Sequence, residues 1–478
     1  MFDPLLIAAA VIVFVLLVII NSGLVHHFAH PDDKGTALWS KLMVQLSFLL
    51  AEVAILLLPL DIANIRYNML PMDYLWQIVF LTIVVFTSFL LPFSLFWYES
   101  LDEFGKSHLF KAICYVITTF IFLSLGLFIL YSFFGVANIP ISVLTSSLVD
   151  EGSPCETCTD CVEADDTFIE LRVTFPVYVI ACFTVLGWLL FVLFGSIGIA
   201  ALPMDYFNSF RNRPKPIIFQ QQAALKAQVA DRAVRLAQIG EGLAREVEKS
   251  GGTLSRQENK LLNQFKQQVI VLEQDHKFLQ MAQDKIQYSP LVYFGHFILG
   301  LLGLIVSLSW AVHIALYVIP VEVVHPFLNS LLLYFDYRFP LISIAIYGFF
   351  GFYLLLCVYK GTFKFGFRLF LIPVHVMEKG NTLMNSFIFN LILILLCVFP
   401  VIQFCITSFR DYARLTSVGS LFGVTFKYLL GFNYFWDFYL YVLIGLTLFS
   451  LSFLLIFPGK KNDDLLKDLE DRLPRSEM

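Results

Sequence analysis

Glu52 is the side chain in this sequence best placed to do chemistry. It stands midway along an apolar run, with Leu49, Leu50, Leu56, Leu57 and Leu58 around it. A carboxylate in hydrocarbon is expensive and marks a functional position by default. It has two uses there. It can carry a proton or grip a cargo group across a cavity, or it can serve as a hydrogen-bonded or protonated structural acid between helices. Trp310 and His313, Asn385 and Asn390, and Gln403 lie in other apolar runs and are its candidate neighbours. Each of these is also a candidate for a plain interhelical hydrogen bond, worth ~0.6–2 kcal/mol.

Three other groupings carry chemistry of a different kind. Cys155, Cys158 and Cys161 sit among acids in one loop. They are read as a disulfide pair plus one thiol, as a metal site short of a fourth ligand, or as free thiols. The other five cysteines fall in apolar runs. Lys360, Lys364 and Arg368 recur every fourth residue and would share one helical face, where they contact anionic headgroups or anchor the end of a span. Pro59, Asp61, Asn64 and Arg66 form a polar exit from the run that holds Glu52, with Asp61 and Arg66 placed to pair. The sequence contains no Walker A motif, nucleophile elbow, zincin helix or EF-hand loop, so no catalytic, cofactor or metal residue is assigned and the expectation is a protein that is not an enzyme. Nucleic acid is not an expected partner.

The elements that position these residues follow from composition. Of 478 residues, 58% are apolar and 14% charged. A soluble domain carries ~25% charged residues, so soluble enzymes and disordered chains are poor readings. Apolar runs long enough to cross a bilayer fall at roughly 5–24, 42–60, 74–98, 112–134, 173–202, 290–318, 339–359, 385–409 and 434–457. Residues 286–321 and 380–409 contain no Asp, Glu, Lys or Arg at all. Strands of a membrane barrel alternate polar with apolar, which these runs do not. The first run is read as a span and not as a leader, since no Lys or Arg precedes it and no Ala-x-Ala site ends it. The expected fold is an all-α polytopic membrane protein with about nine transmembrane helices.

Nine spans put the termini on opposite sides. An exoplasmic N-terminus leaves only Arg66, Arg172, Arg338, Arg410, Arg414 and Lys427 outside and every other Lys and Arg in the cytosol, as the positive-inside rule requires. The expected parts are a five-helix membrane segment at 1–202 with an acidic exoplasmic loop at 135–172, a cytosolic helical hairpin at 203–289, a four-helix membrane segment at 290–457 and a charged cytosolic tail at 458–478. In the hairpin, Leu225, Val229, Arg232, Leu236, Ile239 and Leu243 form one heptad seam, and Leu262, Phe265, Val269, Leu272, His276 and Leu279 form another, with Ser250, Gly251 and Gly252 between them. Residues 217–287 would therefore form an antiparallel coiled-coil-like pair reaching ~45 Å from the membrane, as a self-packed spacer or as a docking surface for a cytosolic partner.

A series of short motifs completes the reading. HPDD at His30–Asp33, LPLDIAN at Leu58–Asn64 and LPMDYLW at Leu70–Trp76 come first. PFSLFWYE at Pro92–Glu99, FGSIGIAALP at Phe194–Pro203 and RPK at Arg213–Lys215 follow. LGLIVSLSWAVHI at Leu302–Ile314, PFLN at Pro326–Asn329, GNTLMNSFIFN at Gly380–Asn390 and VIQFC at Val401–Cys405 complete the series. In this order the chain resembles the family of the limb-region membrane protein and the lipocalin-interacting membrane receptor, which also includes the lysosomal cobalamin escort protein; its spacing is closest to the compact plant and protist members. The resemblance implies nine spans, an exoplasmic N-terminus and a long cytosolic loop after the fifth. It implies a receptor or escort for an exoplasmic protein or small hydrophobic cargo, at the plasma membrane or the endosome and lysosome. The alternatives are a transporter, or transporter subunit, for a vitamin- or lipid-like solute, and a signalling scaffold. It supplies no catalytic residue.

Overall fold

The computed structural model describes residues 4–30, 33, 38–67, 70–99, 109–141, 167–212, 219–249, 290–320, 322–365, 367–369, 372–375, 377, 380, 382–432 and 438–457, with 265, 268–269, 271–272 and 275–276. Among the described residues nine helical spans are long and apolar enough to cross a membrane. They are built from α1 (Pro4–Phe28), α2 (Leu38–Tyr67), α3 (Met72–Val85) and α4 (Leu91–Glu99), α5 (Leu109–Phe134), α6 (Phe175–Arg211), α8 (Pro290–His313), α10 (Pro340–Phe365), α11 (Met384–Ser408) and α14 (Phe438–Ile456). A π-helical turn at Phe86–Leu90 joins α3 to α4, and another at Ile314–Val318 extends α8. The fold is all-α and polytopic.

The chain divides into two compact units, one of 1–202 with 305–454 and one of 203–304 with 455–478. In the first, α11 is the spine. Most of its side chains are buried, and it packs against both α2 and α10, which also pack on each other. By contrast α1, α5 and α14 expose apolar faces such as Ile19, Phe122 and Phe449, as helices do when hydrocarbon is the solvent. Close approach is bought with glycine where α6 crosses α10. A Cβ at Gly198 would lie 1.7 Å from the Cys357 carbonyl oxygen, and one at Gly361 would lie 1.9 Å from that of Phe194. These reciprocal contacts let two backbones touch, the usual route to tight packing in a membrane.

Shorter elements close the two ends of this unit. At one end β1 (Val136–Ile141) pairs antiparallel with β2 (Thr167–Arg172), so the flanks of the acidic loop form a ladder. The same end holds α9 (Phe327–Arg338), α12 (Arg410–Ala413) and α13 (Ser417–Ser420). The sequence reading left α9 inside a loop, because twelve residues are too few to register as a span. At the other end, β3 (Phe367–Leu369) pairs with β4 (Ile372–Val374). Here the chain leaving α1 is clipped to the segment before α11 by His30 N–H to Thr382 O and Thr382 N–H to Phe28 O.

In the second unit α7 (Phe219–Lys249) buries Leu225, Val229 and Leu236, as its seam predicts, but exposes Ile239. Gly240 takes that place, with a built Cβ only 2.9 Å from the Phe265 ring. Arg232, the one break in the seam, meets the buried Asp275 at 3.5 Å. Position numbers rise along one segment as they fall along the other in these two contacts, the order that antiparallel pairing gives. His276, placed on the seam by its spacing, is exposed, and Asp275 lies inside instead.

Candidate functional site

Glu52 sits where expected, inside α2 and buried. Its Oε2 accepts a hydrogen bond of 2.7 Å from Asn21 Nδ2 on α1. Asn21 is itself buried, so the pair is an internal cross-link between the first two spans. Phe48, one turn away on α2, packs edge-on against Tyr359 of α10, whose hydroxyl is buried without a hydrogen-bond partner among the described residues. The sequence reading missed Asn21. The available signal was a second amide in a span, close in sequence to Glu52.

The other five polar candidates are held elsewhere, and none hydrogen-bonds to Glu52. His313 and Trp310 do come together, with ring centroids 6.3 Å apart. His313 is fully buried. Its Nε2 lies 2.8 Å from the Ser408 carbonyl oxygen, and its ring stacks between Tyr317 and Phe409. The same carbonyl accepts from Asn329 Nδ2 at 3.0 Å. Gln403 Oε1 accepts from Trp188 Nε1 of α6 at 2.6 Å. Asn390 Nδ2 donates to the Ser386 and His375 carbonyls, and Asn385 Oδ1 accepts from Ser386 N–H in the first turn of α11. Trp310 Nε1 is buried without a hydrogen-bond partner among the described residues, and the other candidates are held in separate hydrogen-bonded places rather than one cavity.

Two acids outside the candidate intramembrane site have richer surroundings. Asp61, at the exit of α2, accepts from Trp76 Nε1 at 2.8 Å and from the backbone N–H groups of Ser417 and Val418 at 3.3 and 3.1 Å. The chain returning after α12 presents the first amides of α13 to the carboxylate; the side chain of Arg66, its expected partner, lies outside what the structure describes. Trp76 stacks on Phe80, which stacks on Phe399 of α11. At the opposite end, Asp33 Oδ1 accepts from the Tyr98 hydroxyl at 2.9 Å and Oδ2 from Met384 N–H at 3.1 Å; its own carbonyl accepts from Lys41 Nζ. Each carboxylate sits at the start of a helix, where free amides and the dipole favour an anion.

These contacts join the quoted motifs to one another. LPLDIAN meets LPMDYLW through Asp61 and Trp76, and again through Asn64, whose amide bonds both backbone groups of Leu70. HPDD meets PFSLFWYE and GNTLMNSFIFN through Asp33. The His313 motif meets PFLN through the Leu328 N–H, 3.4 Å from His313 Nδ1. The motifs are joints between spans.

The basic triplet is corrected by the fold. Lys360 and Lys364 belong to α10, but the helix ends at Phe365 and Arg368 lies in β3, so the three do not share a helical face. Past β4, His375 adopts a left-handed φ of 54°, stacks on Phe389 at 4.3 Å and has its pKa lowered by burial, with Glu99 opposing the shift. Cys155, Cys158 and Cys161 lie outside the described residues. Among the described residues no group of three His, Cys, Asp or Glu could hold a metal ion.

Fold and joints together define a multi-pass α-helical membrane protein whose spans are tied at both ends by buried carboxylates. The family model described as LMBR1-like membrane protein matches residues 6–250 and 211–452. A LIMR family protein of Dictyostelium discoideum is 34% identical, over 96% of this chain and 99% of that protein. LIMR family proteins of Arabidopsis thaliana and Oryza sativa are 34% and 33% identical, over 95% and 96% of this chain and 96% and 97% of theirs. The chain belongs to the LMBR1-like, or LIMR, family. No solved structure matches it.

Proposed function

We propose that the chain is a non-catalytic receptor or escort that binds an exoplasmic protein or small hydrophobic cargo and couples it to the cytosol through the helical hairpin at 203–289. The N-terminus is exoplasmic and the C-terminus cytosolic in this reading, and the protein works at the plasma membrane or in the endosome and lysosome. The observation that carries it is the dispersal of the intramembrane polar groups. A carrier needs polar groups gathered along one route at mid-membrane. Here Glu52, His313, Gln403 and Asn390 each satisfy a local partner in a different place. That arrangement favours a stable scaffold presenting its end surfaces over a solute pathway.

The experiment is topological first. A tag inserted at Gly251 is expected to be reached by antibody only after permeabilisation, and its labelling in intact cells would overturn the sidedness. Purified protein in liposomes is then expected to move no solute that it binds. Transport by the protein alone would replace the receptor with the carrier.

A further inference from the structure

Helix α5 stands off from the rest of its unit in its middle. It touches α4 through Phe96–Tyr115 and the π-turn through Phe89–Phe120. Further along it touches the start of α6 through Tyr131 against Phe175 and Tyr178. Between those anchors, Leu123, Leu127 and Leu130 face open space. One cavity of ≈ 230 Å³ lies between α5, the π-turn, α6 and α11, and a second of ≈ 340 Å³ lies between α5, α6 and Leu430–Phe432. Cys182 lines both. A third, of only ≈ 20 Å³, shares Val185 and Phe432 with the second and reaches Gln403 and Trp188. The first two adjoin at Cys182 and form a slot beneath α5 along α6.

The lining says what fits. Among the described residues no Asp, Glu, Lys or Arg borders any of the three cavities, so they offer a phosphate or ammonium headgroup no counter-charge, and it would be desolvated at high cost. The walls are aliphatic and aromatic. The exception that matters is Ser88, whose Oγ is buried without a hydrogen-bond partner among the described residues and which borders the first cavity from within the π-turn. Local π-helix is rare and concentrates at functional sites. A buried hydroxyl left unpaired in an apolar slot asks for one donor or acceptor on an otherwise apolar molecule.

We propose that the slot beneath α5 binds a neutral lipid alcohol, a sterol or polyprenol, with its hydroxyl on Ser88 and its apolar body along α6. The ligand enters sideways from the bilayer past α5, the span whose side chains are among the least buried. This site does not depend on the receptor reading, since a resident lipid alcohol suits a receptor and a carrier alike.

The test uses the full chain in nanodiscs, with a diazirine-bearing sterol and a diazirine-bearing farnesol as probes and a diazirine-bearing phosphatidylcholine as reference. At least one alcohol is expected to label peptides of α5 or α6 saturably, in competition with its unlabelled form, while the phospholipid labels without saturation. Ser88→Ala is expected to weaken the alcohol about fivefold, the loss of one neutral hydrogen bond. Leu127→Trp should fill the slot and abolish saturable labelling, and Leu123→Trp serves where the first variant does not purify as a monodisperse protein. Absence of saturable labelling by both alcohols would overturn the site. Equal competition by phosphatidylcholine, or labelling unchanged in a folded tryptophan variant, would do the same.

Discussion

Two buried carboxylates on one helix have been given opposite surroundings. Asp61 and Glu52 lie nine residues apart on α2, about 13.5 Å along its axis. Asp61 stands at the helix exit and collects three donors, an indole and two backbone amides, from α3 and α13. Glu52 stands at mid-span and collects one, from Asn21. A carboxylate offers about four lone-pair positions, so Asp61 is nearly saturated and Glu52 keeps most of its capacity. The difference separates a joint from a site. Asp61 serves its neighbours, whose donors would be orphaned without it. Glu52 is served by one side chain among the described residues.

The sharpest way to break this comparison is Asp61→Leu. It leaves Trp76 Nε1 and the Ser417 and Val418 amides without their acceptor in a buried corner. Orphaned donors cost ~1–3 kcal/mol each, so the loss should be about 3–5 kcal/mol. Expression as a monodisperse protein and thermal unfolding by tryptophan fluorescence would report it. A variant as stable as the native chain would show that the corner is not a joint.

What could be read from the sequence divides along the same line. The spans were legible because hydrocarbon demands long runs of apolar residues, and nothing else in a chain produces them. Leu225, Val229 and Leu236 were legible as a seam because helical periodicity is local. Partners across the fold were not. Asp61 lies more than 350 residues from Ser417 and Val418, and Asp33 as far from Met384, so no periodicity could link them. Arg368 was joined to Lys360 and Lys364 by a spacing that assumes a helix, whereas the helix stops at Phe365. Glu52 stands out because charge in an apolar run is conspicuous, whereas Asn21 is one of several amides in the spans and nothing local pairs it with Glu52 in preference to Asn385, Asn390 or Gln403.

A smaller effect is expected from Glu52→Leu. One donor, Asn21 Nδ2, loses its acceptor, which costs ~1–3 kcal/mol, but an apolar side chain now fills the buried position and returns part of it. The net loss should be about 1 kcal/mol, well short of the change at Asp61. The same unfolding measurement on both variants gives the ratio. Equal losses would erase the distinction between joint and site, and a larger loss at Glu52 would reverse it.

Glu52→Gln should have the smallest effect on folding and the most to say about function. The Gln side chain keeps the length and the carbonyl oxygen, so Asn21 Nδ2 retains an acceptor at the same place, and stability should stay within ~0.5 kcal/mol of the native chain. What the substitution removes is the ability to gain and lose a proton. If the carboxylate only links α1 to α2, cargo capture at the exoplasmic end should be indifferent to the change at every pH tested. If it relays protons for a carrier, purified Glu52→Gln protein in liposomes should lose any dependence of solute movement on pH while folding normally. Binding and transport assays on one preparation separate the two. Unchanged cargo binding with no transport in either protein fits the receptor, and transport that the substitution uncouples from pH would make Glu52 a site of the other kind.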